Sequence, residues 1–592
     1  MTDAAPRPTT GAAEAAASAT LAALAADYWE ATLEADPLLA TAVGDRRYDH
    51  RMPDPTPAGI AASRDRAAAL LVRLEVLDGS ALPPADRITA SALRESLRGD
   101  IAVLAADIGA WNVDSLEGIP AGLIVIPDFQ RLDTPASGRA MVDRWHAMAR
   151  YVDDHVANLR RSLAGGRVAS LPPVERNIAL LDGLLAEPSE RWPLCSPLAT
   201  LRDAGAAGAT DGPATWPTSD RERFATDLRD AVETAVRPAF ARLQAFLADE
   251  LGPVARTAAA PGMGHVEGGP AAYRDLIRFH TSLDLEPEAL HRTGLDEIAR
   301  IDGELEALAG RVLGTRSRAE AIGRLRADES LGYGTREEVL AAAVGALARA
   351  QAATPAFFGR LPRAACEVVP MGTHEEEHGT IAYYRGPAPD GSRPGQFYLN
   401  LSAPRTRRRY EAEALAYHEA VPGHHLQIAI GQELEGIPEF RRHLGPTAFF
   451  EGWGLYTERL ADEMGLYAGD LDRIGVLSFD AWRAARLVVD TGMHALGWSR
   501  DAAIDFMSEH TALAANNIAN EVDRYIVLPG QALAYKTGQL ELLRLRAAAR
   551  ERLGSVFDIR GFHDAVLGEG AIPLATLRAV VDGWVEARAA GG

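Results

Sequence analysis

Apolar residues recurring at three- and four-residue spacing constrain this chain more than any other feature. Leu295, Ile298, Ile301, Leu305, Leu308 and Val312 keep that rhythm for nearly five turns, and Leu21, Leu24 and Tyr28 open another such stretch. The spacing puts these side chains on one helical stripe, so it predicts amphipathic helices packed by their apolar faces. Strand signals are confined to one region. Thr380–Arg385 and Gln396–Ser402 are β-prone runs flanking Gly-Pro-Ala-Pro-Asp-Gly-Ser-Arg-Pro-Gly, which predicts a long-looped hairpin.

The expected fold is therefore mainly α with a small β-sheet. With 592 residues, 47% of them hydrophobic, the chain can bury a large core. Residues 1–19 are Ala, Thr and Pro without periodicity and are expected to be disordered. Residues 20–592 read as one unit, with a helical scaffold over 20–370 and the chemistry over 371–592. Gly205–Ser219 and Thr257–Pro270 read as loops. The formal charge of −21 argues against nucleic-acid or anionic-membrane partners. The N-terminus has no basic segment leading into an apolar run, and no stretch reaches the roughly 18–20 apolar residues of a membrane span. The expected location is cytoplasmic. Cys195 and Cys366 are too few for a disulfide framework and are expected to be free, buried thiols. Oligomeric state is not legible.

One segment concentrates chemistry. His418-Glu419-Ala-Val-Pro-Gly-His424-His425-Leu-Gln427 precedes Phe-Phe-Glu451-Gly-Trp. Imidazole and carboxylate suit zinc, and a catalytic zinc is held by three protein groups with one position open; His418, His424 and Glu451 would supply such a set. The spacing differs from His-Glu-x-x-His, in which the histidines are neighbours at i and i+4. At about 100° per residue, His424 at i+6 points away from His418, and His425 at i+7 lies about 10 Å further along the axis. Pro422 cannot donate to the carbonyl of residue 418 and its ring collides with it, so the helix must bulge or break there. Gly423 lets the backbone take whatever φ the detour requires.

These residues resemble the family known as domain of unknown function 885, whose motif is His-Glu-Ala-x-Pro-Gly-His-His followed by a Glu-Gly-Trp helix. The resemblance runs from Tyr28-Trp29 through Tyr273-Arg-Asp and Arg524-Tyr525-Ile to Phe562-His563-Asp. That family looks like a branch of the helical zinc peptidases, similar in layout to angiotensin-converting enzyme and the thermostable carboxypeptidases. The resemblance implies a zincin-like helical metallopeptidase fold with a deep cleft and the hairpin just before the metal helix. It implies one Zn2+ per chain on His418, His424 and Glu451, with Glu419 as general base and His425 as rival for the second imidazole position. The implied activity is hydrolysis of peptide bonds in short peptides. Alternatives are hydrolysis of a specialised small-molecule amide, or a binding protein with a structural or vestigial metal site.

Other candidates surround this core. Arg524-Tyr525-Ile-Val-Leu-Pro-Gly-Gln531-Ala-Leu-Ala-Tyr535-Lys536 resembles a family segment that implies Tyr525 as donor to the oxyanion. Arg524, Gln531, Tyr535 and Lys536 are candidate substrate contacts, a cation among them gripping a substrate carboxylate. Asn400 and neighbouring backbone are candidates for pairing with an extended substrate at a strand edge. Glu458, Asp490 and His494 are candidates for orienting ligands or touching substrate. Glu375-Glu376-Glu377-His378 and Arg407-Arg408-Arg409 read as solvated charge.

Overall fold

The computed structural model describes residues 10–202, 212–372, 376, 380–388 and 391–591. Helices dominate, with one three-stranded sheet in the order β1 (Cys366–Pro370), β3 (Gly395–Leu399), β2 (Ala382–Arg385). The expected hairpin is the antiparallel β2–β3 pair, in which Tyr383 faces Tyr398 and their rings stack at 4.9 Å. The sequence did not signal β1, which runs parallel to β3. It is five residues long, ends in proline and lacks an alternating pattern, and its pairing is fixed only by a distant crossover.

The helix Pro287–Val312 contains the strongest periodic stretch. Ile298, Ile301, Leu305 and Leu308 are buried as expected, whereas Leu295 is 41% exposed and Val312 only half-buried. The stripe instead passes through Gly294, where an added Cβ would lie 2.7 Å from the Val488 side chain. Gly294 thus lets this helix press closely on the long helix Asp470–His494, and these two form one of the most extensive helix pairs. The other is Thr447–Glu463 on Leu533–Leu553. There Gly452 meets Gly538, and a Cβ on Gly452 would lie 2.5 Å from the Gly538 backbone.

The first helix, Thr10–Ala35, begins inside the segment expected to be disordered. Its alanines favour helix without an amphipathic pattern, and Ala17, Leu21 and Leu24 reach the core; residues 1–9 lie outside the described residues. So do 205–211 of the first expected loop, while Thr257–Pro270 is mostly turns. A separate core around Trp145, Trp192 and Phe240 organises the amino-terminal half. Both cysteines are free and buried. Among the described residues, no helix is long and apolar enough to cross a membrane.

Candidate metal centre

His418 and Glu419 end the helix Arg409–Glu419, and His424 starts the helix His424–Gln432. The interruption is complete, not a bulge. The chain turns at Ala420–Gly423 and re-enters helix with the His425 N–H donating to the Ala420 carbonyl at 3.0 Å. Gly423 has φ −76 and ψ −127, so it is not a left-handed turn that requires glycine. Space does: a Cβ there would lie 1.9 Å from the His418 carbonyl oxygen and 2.4 Å from that of Tyr417. The Trp453 indole donates to the Pro422 carbonyl at 3.0 Å, clamping the turn to the helix Thr447–Glu463 that carries Glu451.

Three side chains meet over this turn. His418 Nε2 lies 3.4 Å and His424 Nε2 3.9 Å from Glu451 Oε2. One ligand atom from each residue falls within 4.8 Å of the others. Gly454 makes room, since a Cβ would lie 2.5 Å from the His418 ring. Glu458 Oε1 accepts from His418 Nδ1 at 2.8 Å, which fixes the ring with Nε2 turned toward Glu451. Burial opposes charge on His418, but Glu451 and Glu458 outweigh it and raise its pKa to about 10. Burial likewise opposes charge on Glu451, yet His418 and His424 hold its carboxyl down at about 2. Burial, and then His418, lower His424. The carboxylates around these two imidazoles thus favour a positive charge at the cluster.

His425 points elsewhere. Its Nδ1 bonds the Tyr384 hydroxyl at 2.9 Å and its Nε2 the Ala364 carbonyl at 3.1 Å, so both nitrogens are committed to the sheet side. Glu419 is half-buried with no hydrogen bond among the described residues, and its charge is felt by both imidazoles of the cluster.

Several candidates prove to be structural. Asn400 is buried, donating to the Glu376 and Thr380 carbonyls and accepting from Ser402 N and Oγ; it pins a loop and has nothing left for a substrate. Lys536 spends its three protons on Asp480, Gln539 and Glu297 at 2.6, 2.7 and 2.8 Å, so it is not a carboxylate clamp. Asp490 accepts from Tyr273 Oη and Gly530 N, and His494 accepts from Met263 N while donating to the Tyr525 carbonyl. These two hold the Tyr525–Gly530 backbone and touch no metal ligand. Glu376 pairs with Arg336 and is not solvated; residues 375, 377 and 378 lie outside the described residues.

Tyr525, on the helix Ala515–Val527, is buried, and its hydroxyl donates to Glu521 at 2.7 Å while accepting from Arg486 and Trp482. Arg524 donates to Gln531 and Glu521. Tyr535 stacks under Arg486 at 4.2 Å, and its hydroxyl has no hydrogen-bond partner among the described residues. The sequence reading missed Glu521, Arg483 and Arg486. The available signal was two arginines three apart in the apolar run of Asp470–His494, where a cation must find a partner.

A cavity of about 690 Å³ lies mainly between amino-terminal helices, lined by residues such as Tyr28, Asp100, His155 and Leu247, and includes none of the three clustered residues.

A crystal structure of a "putative lipoprotein" from Colwellia psychrerythraea is 27% identical, with TM-score 0.84 over 96% of this chain and 99% of that one. A "putative lipoprotein of unknown function" from Shewanella oneidensis shares the fold at 16% identity and TM-score 0.73, over 95% of this chain and 99% of that one. None of the curated proteins matches the sequence. The family described as "Bacterial protein of unknown function (DUF885)" matches residues 37–581, and the chain belongs to it.

Proposed function

We propose that this protein is a metal-dependent hydrolase of amide bonds in short peptides, with one divalent ion, zinc by ligand type, held by His418, His424 and Glu451. One observation carries the reading: two imidazoles and a carboxylate from separate helices converge within 4.8 Å, with Glu419 next in sequence to the first. Two nitrogens and one oxygen suit zinc and leave a position open. When bound there, zinc lowers the pKa of a coordinated water toward ~7 and polarises a carbonyl.

The protein's own groups do the rest. Glu419, with no competing hydrogen bond, takes a proton from the attacking water and returns it to the leaving amine. Glu458 fixes the His418 ring. Tyr535, with its free hydroxyl, is better placed in chemistry to donate to the developing oxyanion than Tyr525, whose proton is given to Glu521. A zincin-like helical architecture with a deep cleft is part of the proposal. Burial is the largest influence on the Glu451 carboxyl, yet 23% of that side chain remains exposed, as on the wall of a recess. The lipoprotein description of both structural relatives favours action outside the cytoplasm over the cytoplasmic expectation.

Elemental analysis with chelation and metal rescue, on di- to pentapeptides beside acylated amino acids, tests the reading. We expect about one zinc per chain and metal-dependent peptide cleavage, and Glu419→Gln retaining zinc while losing roughly 10²- to 10⁴-fold in kcat. Near-normal turnover by that variant would remove the assigned base. Metal-independent hydrolysis, or none with any metal, would sink the function.

A further inference from the structure

Among the described residues, four arginines are deeply buried: Arg144, Arg441, Arg483 and Arg486. Arg144 shows how the fold normally treats such a group, donating to the carbonyls of Arg51, Pro37 and Tyr48 and to Gln130 and Thr41. Arg441 bonds Thr89 and Glu569. Arg483 is different. Only 6% exposed, it makes no hydrogen bond among the described residues, and its Nε and Nη1 are buried without partners. What holds it is aromatic contact, with Trp482 at 4.2 Å and Phe479 at 4.7 Å. Stacking on rings repays only part of what burying an unpaired cation costs. A guanidinium held over rings with Nε and Nη1 unpaired has donors to offer a planar anion.

Arg486 lies three residues further on the same helix, so the two side chains are neighbours. It bonds Tyr525 and Glu521, but its Nη1 is buried and unpartnered. The helix that carries both arginines packs against the His418 helix Arg409–Glu419 and the Glu451 helix Thr447–Glu463, so the unpaired donors belong to an element that borders the proposed metal centre. On the other side Glu411, two turns before His418 on its helix, feels Arg483 without forming an ion pair.

We propose that Arg483, with Nη1 of Arg486, receives a carboxylate of the substrate, so that the preferred substrate is a short peptide with a free C-terminus cut near that end. This rests on the hydrolase reading for its consequence, but the receptor can be tested without turnover.

Calorimetry on the zinc-loaded Glu419→Gln protein would compare an N-acetyl tripeptide acid, its C-terminal amide, and the same amide carrying an internal glutamate. Charge-assisted pairing predicts roughly tenfold to 100-fold tighter binding of the acid than of the neutral amide. That preference should vanish in a second protein that also carries Arg483→Met and be partly kept with Arg483→Lys. If the glutamate amide binds like the acid, the receptor stands and the carboxylate is read from a side chain. Equal binding of acid and neutral amide, or a preference surviving Arg483→Met, overturns the proposal. Arg483→Met should also unfold at the same or a higher temperature, because no hydrogen bond is lost; a fall of more than a few degrees would make Arg483 a structural support and overturn it too. Acid-selective binding without hydrolysis under any metal would refute the hydrolase reading alone.

Discussion

The ring of His418 can reach Glu451 only because position 454 has no side chain, and it can present Nε2 only because Glu458 occupies Nδ1. Each is a single-residue condition on the same imidazole. Glu458→Ala removes the orienting carboxylate and leaves a buried N–H without an acceptor. Metal affinity should fall about 10- to 100-fold, measured by competition against a chelator of known strength. Unchanged affinity would mean that packing against Gly454 suffices to aim the ring. The same residue-level reasoning separates the two adjacent histidines, since His425 has both nitrogens bonded to Tyr384 and Ala364.

At the scale of elements, the centre is a junction of two broken helices with a third. The break places His418 at one helix end and His424 at the start of the next, and the Trp453 indole ties the turn to the Glu451 helix. A methyl group at Gly423 would enter the carbonyls of Tyr417 and His418. Gly423→Ala should therefore destabilise by about 3 kcal/mol, the upper end of the usual overpacking range, and abolish tight metal binding. Chemical denaturation of the metal-free protein together with a metal titration reads both. Tight binding in a normally stable variant would show that the turn has another route. The Glu451 helix is in turn set by Gly452 on Gly538, so its position depends on Leu533–Leu553, far along the chain.

Across the whole molecule, buried charge is balanced by residues distant in sequence. Lys536, Asp480, Arg459, Arg300, Glu297 and Glu304 form one network that joins the helices Pro287–Val312, Thr447–Glu463, Asp470–His494 and Leu533–Leu553. Lys536→Met leaves Asp480 facing Arg459 and Arg300 alone and should cost about 3 kcal/mol, the low end for breaking a buried pair, as a lower denaturation midpoint. If instead Lys536→Met is as stable as the parent but loses carboxylate selectivity, the assignment of that lysine to the core is wrong. Asp490 gives a pH signature. Burial raises its carboxyl to about 7 against the hydrogen bonds from Tyr273 and Gly530, compared with roughly 3.9 in an unfolded chain. The folded state holds the extra proton between those values, so this group costs stability as pH rises from about 4 to about 7. The stability of Asp490→Asn relative to the parent should increase over that window; a constant difference across it would count against the raised value.

The sequence by itself determined what is local. Period and composition gave the helical class and the β2–β3 hairpin, and the His-Glu/Pro-Gly-His-His segment named the candidate ligands and the necessity of a break, because a proline and a glycine act on their immediate neighbours. Only the tertiary structure turned His424 rather than His425 toward His418 and Glu451, moved Asn400 and Lys536 into the framework, added β1, and left Arg483 unpaired. Those outcomes depend on partners tens to hundreds of residues away, such as Asp480 for Lys536 and Glu376 for Asn400, and whether a buried polar group is free or committed is a property of the packed molecule, not of the segment that carries it.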